Sequence, residues 1–164
     1  MTRSLSSVFV IFMLIVLASC GFHLRGQATI PDHLKVIYIQ GVEMNKNLGS
    51  ELKKSLTRNG VTVVSESQKD SALLTIVEYK VDRRVLSVGS DAKVSEVELY
   101  GFVKFKVSDA QGRILSDEQK VEARRDFQFD QNQVIGTTEE GRSIRQQLDQ
   151  QLVQSMLRRL AAIK

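Results

Sequence analysis

Hydrophobic and polar residues alternate along three long stretches of this 164-residue chain, in the manner of half-buried β-strands. These stretches lie over 73–85, 97–107 and 114–129. A shorter β-branched run over 35–40 predicts an earlier strand. Turn-forming residues at 108–112 separate the last two long runs. The pattern therefore predicts two consecutive antiparallel hairpins in the second half of the chain.

The alternation also assigns side chains to faces. In the first long strand it places Leu73, Thr75, Val77 and Tyr79 on one mostly apolar face, while Glu78 belongs to the opposite face. In the second long strand, Tyr100 and Phe102 interrupt the polar face. Arg83 and Arg125 fall on otherwise apolar faces, so we expect each at a sheet end, at a contact or at a strand bend.

Two segments carry helical periodicity. The first, 45–59, has Leu48, Leu52 and Leu56 one turn apart and is followed by Gly60, a natural helix stop. The second begins at a cap formed by Thr137 or Thr138 and ends near the chain terminus. Its predicted buried stripe consists of Ile144, Leu148, Leu152, Met156 and Leu160, widened by Val153 and Leu157.

The connections follow from these elements. A brief extended piece is predicted over 61–64, and a loop over 87–95. A strand, a helix and a returning strand suggest a crossover, so the strands over 35–40 and 73–85 should run parallel if they share a sheet.

The first nineteen residues read as a secretory signal that ends at a cysteine. Arg3 gives a basic start, eleven apolar residues run from Val8 to Ala18, and Leu17–Cys20 resembles a lipobox. The apolar run is too short for a membrane span, which needs about 20 residues in a helix. We therefore predict that the signal is cleaved before Cys20, which then carries an S-diacylglycerol and an N-acyl group. Residue 21 is a glycine and not the aspartate that would resemble a signal for inner-membrane retention. We therefore predict that the lipoprotein lies in the outer membrane.

Removing that signal leaves one predicted domain, 20–164, with 22 basic and 19 acidic side chains. A chain of this length can bury a sizeable core. Cys20 is the only cysteine, so the domain must fold without a disulfide. The mild positive charge does not identify a polyanionic partner, and we expect no nucleic-acid partner.

The sequence offers little catalytic or metal-binding chemistry. Both histidines, His23 and His33, precede the first strand, and no phosphate-binding loop, nucleophile elbow or zinc motif is present. Glu96 and Glu98 share one face of a predicted strand and imitate an acid pair, although a solvated face with cross-strand charge pairs explains them better. We predict no enzyme, no metal and no cofactor beyond the lipid.

Basic side chains project from the polar side of the long strands, and such a surface could hold anionic or phosphorylated ligands. Ordinary solubility, aided by acidic neighbours, is the alternative explanation. The basic residues on this side are Lys80, Arg84, Lys104, Lys106, Lys120 and Arg124, with Lys93 in the predicted loop.

Three sequence blocks resemble one known family. They are Cys20–Gly26 at the predicted mature start, Leu52–Val61 in the first helix, and Arg124–Phe127 before the last helix. In this order they resemble the lipopolysaccharide-assembly lipoprotein family, LptE, over the whole mature chain. The resemblance implies an α+β two-layer sandwich with two α-helices packed on a mostly antiparallel, four-stranded mixed β-sheet.

The resemblance also implies a function. The lipoprotein would form a 1:1 plug-and-barrel complex with the outer-membrane lipopolysaccharide-export β-barrel (LptD-like), assist its assembly and bind lipopolysaccharide. It would be anchored to the inner leaflet of the outer membrane, facing the periplasm and the barrel lumen. The basic residues available for lipopolysaccharide are Lys93, Lys104, Lys106, Lys120, Arg124 and Arg142.

Two other functions stay open at this point. An auxiliary lipoprotein of another envelope transporter would share the anchor and fold but have no affinity for lipopolysaccharide. An envelope hydrolase would need Glu96 and Glu98 as its acid and base.

Overall fold

The computed structural model describes residues 29–89, 94–128 and 134–163. Along these residues a 3-10 turn precedes five strands and two helices. In chain order the elements are the turn Asp32–Leu34, β1 (Val36–Gln40), α1 (Asn47–Arg58), β2 (Thr62–Val64), β3 (Ala72–Val88), β4 (Val94–Ser108), β5 (Ile114–Gln128) and α2 (Val134–Leu160). The strands form one sheet in the order β2-β1-β3-β4-β5, and the helices pack on it to give an α+β fold.

The predicted sheet of four strands is wrong, because the described residues form five. The extra strand is the brief extended piece after α1, where Val36 of β1 faces Thr62 of β2 in parallel. β1 also runs parallel to β3, with Ile39 facing Leu74, which confirms the predicted crossover. The pairings β3–β4 and β4–β5 are antiparallel, as predicted. The sheet therefore has two parallel and two antiparallel pairings, and the antiparallel pairings are much longer.

The predicted faces of β3 are correct only after Val77. A register shift between Ile76 and Glu78 interrupts the pairing with β4. Before the shift, Leu74 and Ile76 are the buried residues and Val77 is 48% exposed, so the assignment of Leu73, Thr75 and Val77 to the core face is wrong. A bulge adds one residue to the strand and reverses the alternation, which is the physical reason for the error.

Two predicted boundaries also move. β3 continues to Val88 and β4 begins at Val94, so strand residues take both ends of the predicted 87–95 loop. α2 begins at Val134, and Thr137 and Thr138 therefore lie inside the helix instead of capping it. The stop of α1 is as predicted: Gly60 has a φ of +76°, and the Val61 N–H donates to the Leu56 carbonyl at 3.1 Å.

The core lies between the helices and the sheet. The leucines of α1 are buried, as predicted, and so is the stripe of α2 from Leu148 to Leu160, with Leu148, Leu152 and Met156 fully inaccessible, whereas Ile144 is only half-buried. α2 packs closely on β4 at Gly101, where an added Cβ would stand 2.9 Å from a Leu148 methyl carbon and 3.2 Å from one of Leu152. The other side of β4 therefore faces away from the helices. Within the described ranges, neither helix is long and apolar enough to cross a membrane.

Candidate functional site

The sheet face that points away from the helices carries a regular arrangement of charges and aromatic rings. We call this surface, on β3, β4 and β5, the open face. Register aligns its side chains in four cross-strand rows. The rows are Glu78–Lys104–Lys120, Lys80–Phe102–Glu122, Asp82–Tyr100–Arg124 and Arg84–Glu98–Asp126. In these four rows, five basic and five acidic residues surround two aromatic ones, so the rows carry no net charge.

Two aromatic rings form the centre of the open face. The Tyr100 and Phe102 ring centroids lie 6.1 Å apart. The guanidinium carbons of Arg84 and Arg124 lie 4.5 and 5.4 Å from the Tyr100 centroid. The two lysine ammonium groups beside Phe102 belong to Lys120, at 4.7 Å, and Lys104, at 5.8 Å. Cations near ring faces are attracted by the ring quadrupole, so the aromatic pair helps to position all four cations.

Carboxylates hold the same cations from their other sides. Lys104 pairs with Glu78 at 2.7 Å, and Lys120 pairs with Glu122. The Tyr100 hydroxyl donates to Glu122 Oε1 at 2.7 Å. Glu98 is 8% exposed. Its Oε1 lies 3.7 Å from Arg84 Nη1, and its Oε2 lies 4.0 Å from Arg124 Nε. The predicted cross-strand charge pairing is therefore confirmed at Glu78 and Lys104.

These contacts fix the charge states of the open face. The hydrogen bond with Glu78 raises the pKa of Lys104, and the hydrogen bond with Glu122 raises that of Lys120. Hydrogen bonds from Lys120 and Tyr100 lower the pKa of Glu122. All three groups are charged at neutral pH, so they act as ion-pair partners and not as a proton donor and acceptor pair.

The structure brings together some of the predicted lipopolysaccharide-binding residues. Lys104, Lys120 and Arg124 surround the aromatic pair, and Lys106 follows on the same side of β4. Arg142 is exposed on α2, in the helix layer on the other side of the sheet. Lys93 and the predicted lipidation residue Cys20 lie outside the described residues.

Arg142 lines a separate polar cleft between the two helices, with a volume of about 310 Å³. Asp149 also lines this cleft, is 3% exposed, and accepts a hydrogen bond of 2.6 Å from the Tyr79 hydroxyl. Burial raises the pKa of Asp149, and burial together with the Asp149 contact raises that of Tyr79. Sequence reasoning missed this pair. The available signal was the position of Asp149, one residue after Leu148 and one turn before Leu152 on the buried side of α2.

No group of three or more potential metal ligands occurs among the residues that the structure describes. Glu96 and Glu98, which imitate an acid pair in the sequence, lie in different environments. Glu98 is buried between two guanidinium groups, whereas Glu96 is exposed and accepts a 3.4 Å hydrogen bond from Ser87. Their environments suit ion pairing at Glu98 and solvent contact at Glu96.

Comparison with known proteins places these features in a family. The family model described as "LptE: Lipopolysaccharide-assembly" matches residues 34–160, which is most of the chain. The chain belongs to the LptE family. LptE proteins are non-enzymatic lipopolysaccharide-assembly lipoproteins.

Individual relatives agree. The chain is 26% identical to the LPS-assembly lipoprotein LptE of Photorhabdus laumondii over 149 residues, covering 91% of this chain and 81% of the relative. An uncharacterized lipoprotein B from Nitrosomonas europaea has a similar solution structure, with a TM-score of 0.68, 27% identity, and coverage of 87% and 91% of the two chains. A minor lipoprotein from Acinetobacter baumannii gives a TM-score of 0.65 at 25% identity, with coverage of 78% and 91%.

Proposed function

We propose that this LptE-family chain is an outer-membrane lipoprotein that plugs the lumen of an LptD-like lipopolysaccharide-export barrel in a 1:1 complex. It assists assembly of the barrel and contacts lipopolysaccharide during export. The chain 20–164 acts as one domain, tethered to the inner leaflet through an acylated Cys20. Family membership supports a role in lipopolysaccharide assembly. The plug complex, the glycolipid contact and the anchor are the proposed parts.

The observation that carries the proposal is the charge balance of the open face. A wide outer-membrane barrel has a polar interior, so a resident plug needs a polar, ordered surface. The open face meets this requirement because its cations are held by carboxylates and aromatic rings in fixed positions. A net positive face would instead favour loose association with many anions. The exposed glutamines of α2, including Gln146, Gln147 and Gln154, supply a second polar surface without net charge.

Lipopolysaccharide contact requires cations that an anionic glycolipid can reach. Lys106 is exposed, and no carboxylate of the described residues lies at ion-pair distance from it. Lys104 and Lys120 are charged but already engaged with Glu78 and Glu122. A lipid A phosphate would have to compete with those carboxylates, so we rank Lys106 before them, with Arg124, Arg142 and Lys93 as further candidates.

The test combines co-purification with site-specific crosslinking. The lipidated protein is isolated from detergent-solubilised outer membrane carrying a photoreactive residue at position 102, on the open face. A matched protein carries it at Thr57, which is exposed on α1. We expect a large β-barrel protein at 1:1 stoichiometry and a crosslink to it from position 102.

The outcomes separate the alternatives. Recovery of the lipoprotein alone, or with subunits of an inner-membrane transporter, would contradict the plug and favour the auxiliary-lipoprotein alternative. A barrel complex that crosslinks only from position 57 would preserve the partner but reject the open face as its contact surface.

A further inference from the structure

The strand β5 forms a long edge of the sheet. Among the described residues it pairs with β4 alone, so its outer backbone groups meet no other strand. β5 spans fifteen residues, Ile114–Gln128, whereas the opposite edge strand, β2, has three. A long edge strand is a template for pairing with another chain unless its side chains prevent it.

The edge carries seven charged residues, and charges on an edge strand usually prevent pairing. Here their order around the middle of the strand matters. Two acidic residues precede the midpoint, Val121, and two arginines follow it, with Lys120 and Glu122 inverted at the centre and Asp126 at the end of the series. The seven are Asp117, Glu118, Lys120, Glu122, Arg124, Arg125 and Asp126.

This order makes β5 complementary to itself in the antiparallel register centred on Val121. A two-fold axis through Val121, perpendicular to the sheet, would place a second β5 beside the first around this residue. Lys120 of each copy would then face Glu122 of the other. The same register places Glu118 opposite Arg124, and the regular pairing ends there because β5 carries an extra residue near Asp117 and Glu118.

The neighbouring symmetric registers are unfavourable. An axis through Lys120 would place that lysine opposite its own copy and Glu118 opposite Glu122. An axis through Glu122 would oppose two Glu122 side chains, and would also oppose Lys120 to Arg124 and Glu118 to Asp126. Like charges directly opposite each other destabilise a strand pair, so the charge order disfavours both of these registers.

The central residues are suitably placed for this contact. A register shift against β4 adds an extra residue to β5 near Asp117 and Glu118, but residues 119–123 pair with β4 without interruption. Lys120 and Glu122 lie on the open face with side chains 44% and 42% exposed, and they already pair within one chain. A second copy would convert this pair into a closed square of alternating charges.

We propose that this chain forms a symmetric homodimer by antiparallel pairing of β5 with β5 of a second copy, centred on Val121. The two sheets become one continuous sheet, with the helices of both copies on the same side. This interface does not depend on the barrel complex. It gives the lipoprotein a state in which its long edge is covered by its own copy.

A charge-exchange experiment tests the dimer. Full-length lipoprotein in detergent is examined by sedimentation equilibrium from about 1 to 100 µM, because mass action must favour the dimer at the higher concentrations. We expect Lys120→Glu alone and Glu122→Lys alone each to weaken dimerisation by at least about tenfold, since each creates like-charge pairs at the centre. An equimolar mixture of the two variants should form a heterodimer, because each copy then faces opposite charges.

The mixture makes the result independent of folding defects in either variant, since two misfolded chains would not restore pairing. The double variant Lys120→Glu/Glu122→Lys should also dimerise with itself. Lys53→Glu, an exposed change on α1, serves as the matched control and should leave dimerisation unchanged. A wild-type chain that stays monomeric throughout, or a mixture that forms no heterodimer, would overturn the proposal.

Discussion

The two sides of β4 are built on different principles. On the helix side, Val103, Phe105 and Val107 are almost fully buried, and Gly101 leaves room for Leu148 and Leu152. On the open face the same strand presents charges and rings that are held by ion pairs and hydrogen bonds. Apolar burial supplies most folding energy, whereas partly exposed ion pairs contribute little. The comparison assigns stability to the helix side and surface chemistry to the open face.

The strongest test of this assignment is Leu152→Ala in α2. Leu152 is fully buried where α2 meets Gly101. Removing its branched end creates a cavity in the core, so we expect the free energy of unfolding to fall by about 2–5 kcal/mol. Chemical unfolding measures the change.

The matched control is Gln154→Ala, an exposed position on the same helix, which we expect to change stability by less than about 0.5 kcal/mol. Equal losses in the two variants would show that helix propensity, and not the packed interface, determines the contribution of α2.

The same contrast explains which features the sequence predicts. The long strands and both helices were predictable because burial on one side imposes a period of two or 3.6 residues over many positions. β2 was not counted as a strand, because three residues carry too little alternation. The predicted faces of Leu73 and Thr75 are wrong because the bulge after Ile76 leaves no signature in the local composition.

The candidate site was predictable in outline only. Lys104, Lys120 and Arg124 were expected on the polar side because all three occupy even-numbered positions in regular parts of β4 and β5. Their partners depend on the register between strands that are distant in sequence, such as Glu78 opposite Lys104. The contact between Tyr79 and Asp149 joins a strand to a helix 70 residues later, so periodicity within either element does not reveal it.

Asp149 is an ionisable residue on the helix side of the sheet, so it tests whether apolar packing alone accounts for the stability of that side. Burial raises its pKa, so the native state holds this proton more tightly than the unfolded chain does. Its contribution to stability is therefore fully present below the unfolded pKa and is lost as pH rises through the native pKa. In Asp149→Asn that loss is absent, while the amide oxygen can still accept from the Tyr79 hydroxyl.

We therefore expect the stability of Asp149→Asn relative to wild type to increase between pH 3.5 and pH 7, the two differing by less than about 1 kcal/mol at either pH. Urea unfolding of both proteins at the two pH values measures this. The opposite trend would mean that attraction to Arg145, and not burial, dominates the charge of Asp149.

The smallest effect is expected on the open face. In Lys104→Gln the ion pair with Glu78 is lost, but both side chains remain accessible to water, and Glu78 is 43% exposed. We expect Tm to change by less than about 1 °C in thermal unfolding, because exposed ion pairs add little net stability. Lys106→Gln is the control, since Lys106 has no ion pair within the described residues. If Lys104→Gln lowers Tm by several degrees and Lys106→Gln does not, the open-face ion pairs support the fold as well as the surface, and the division between the two sides of β4 fails.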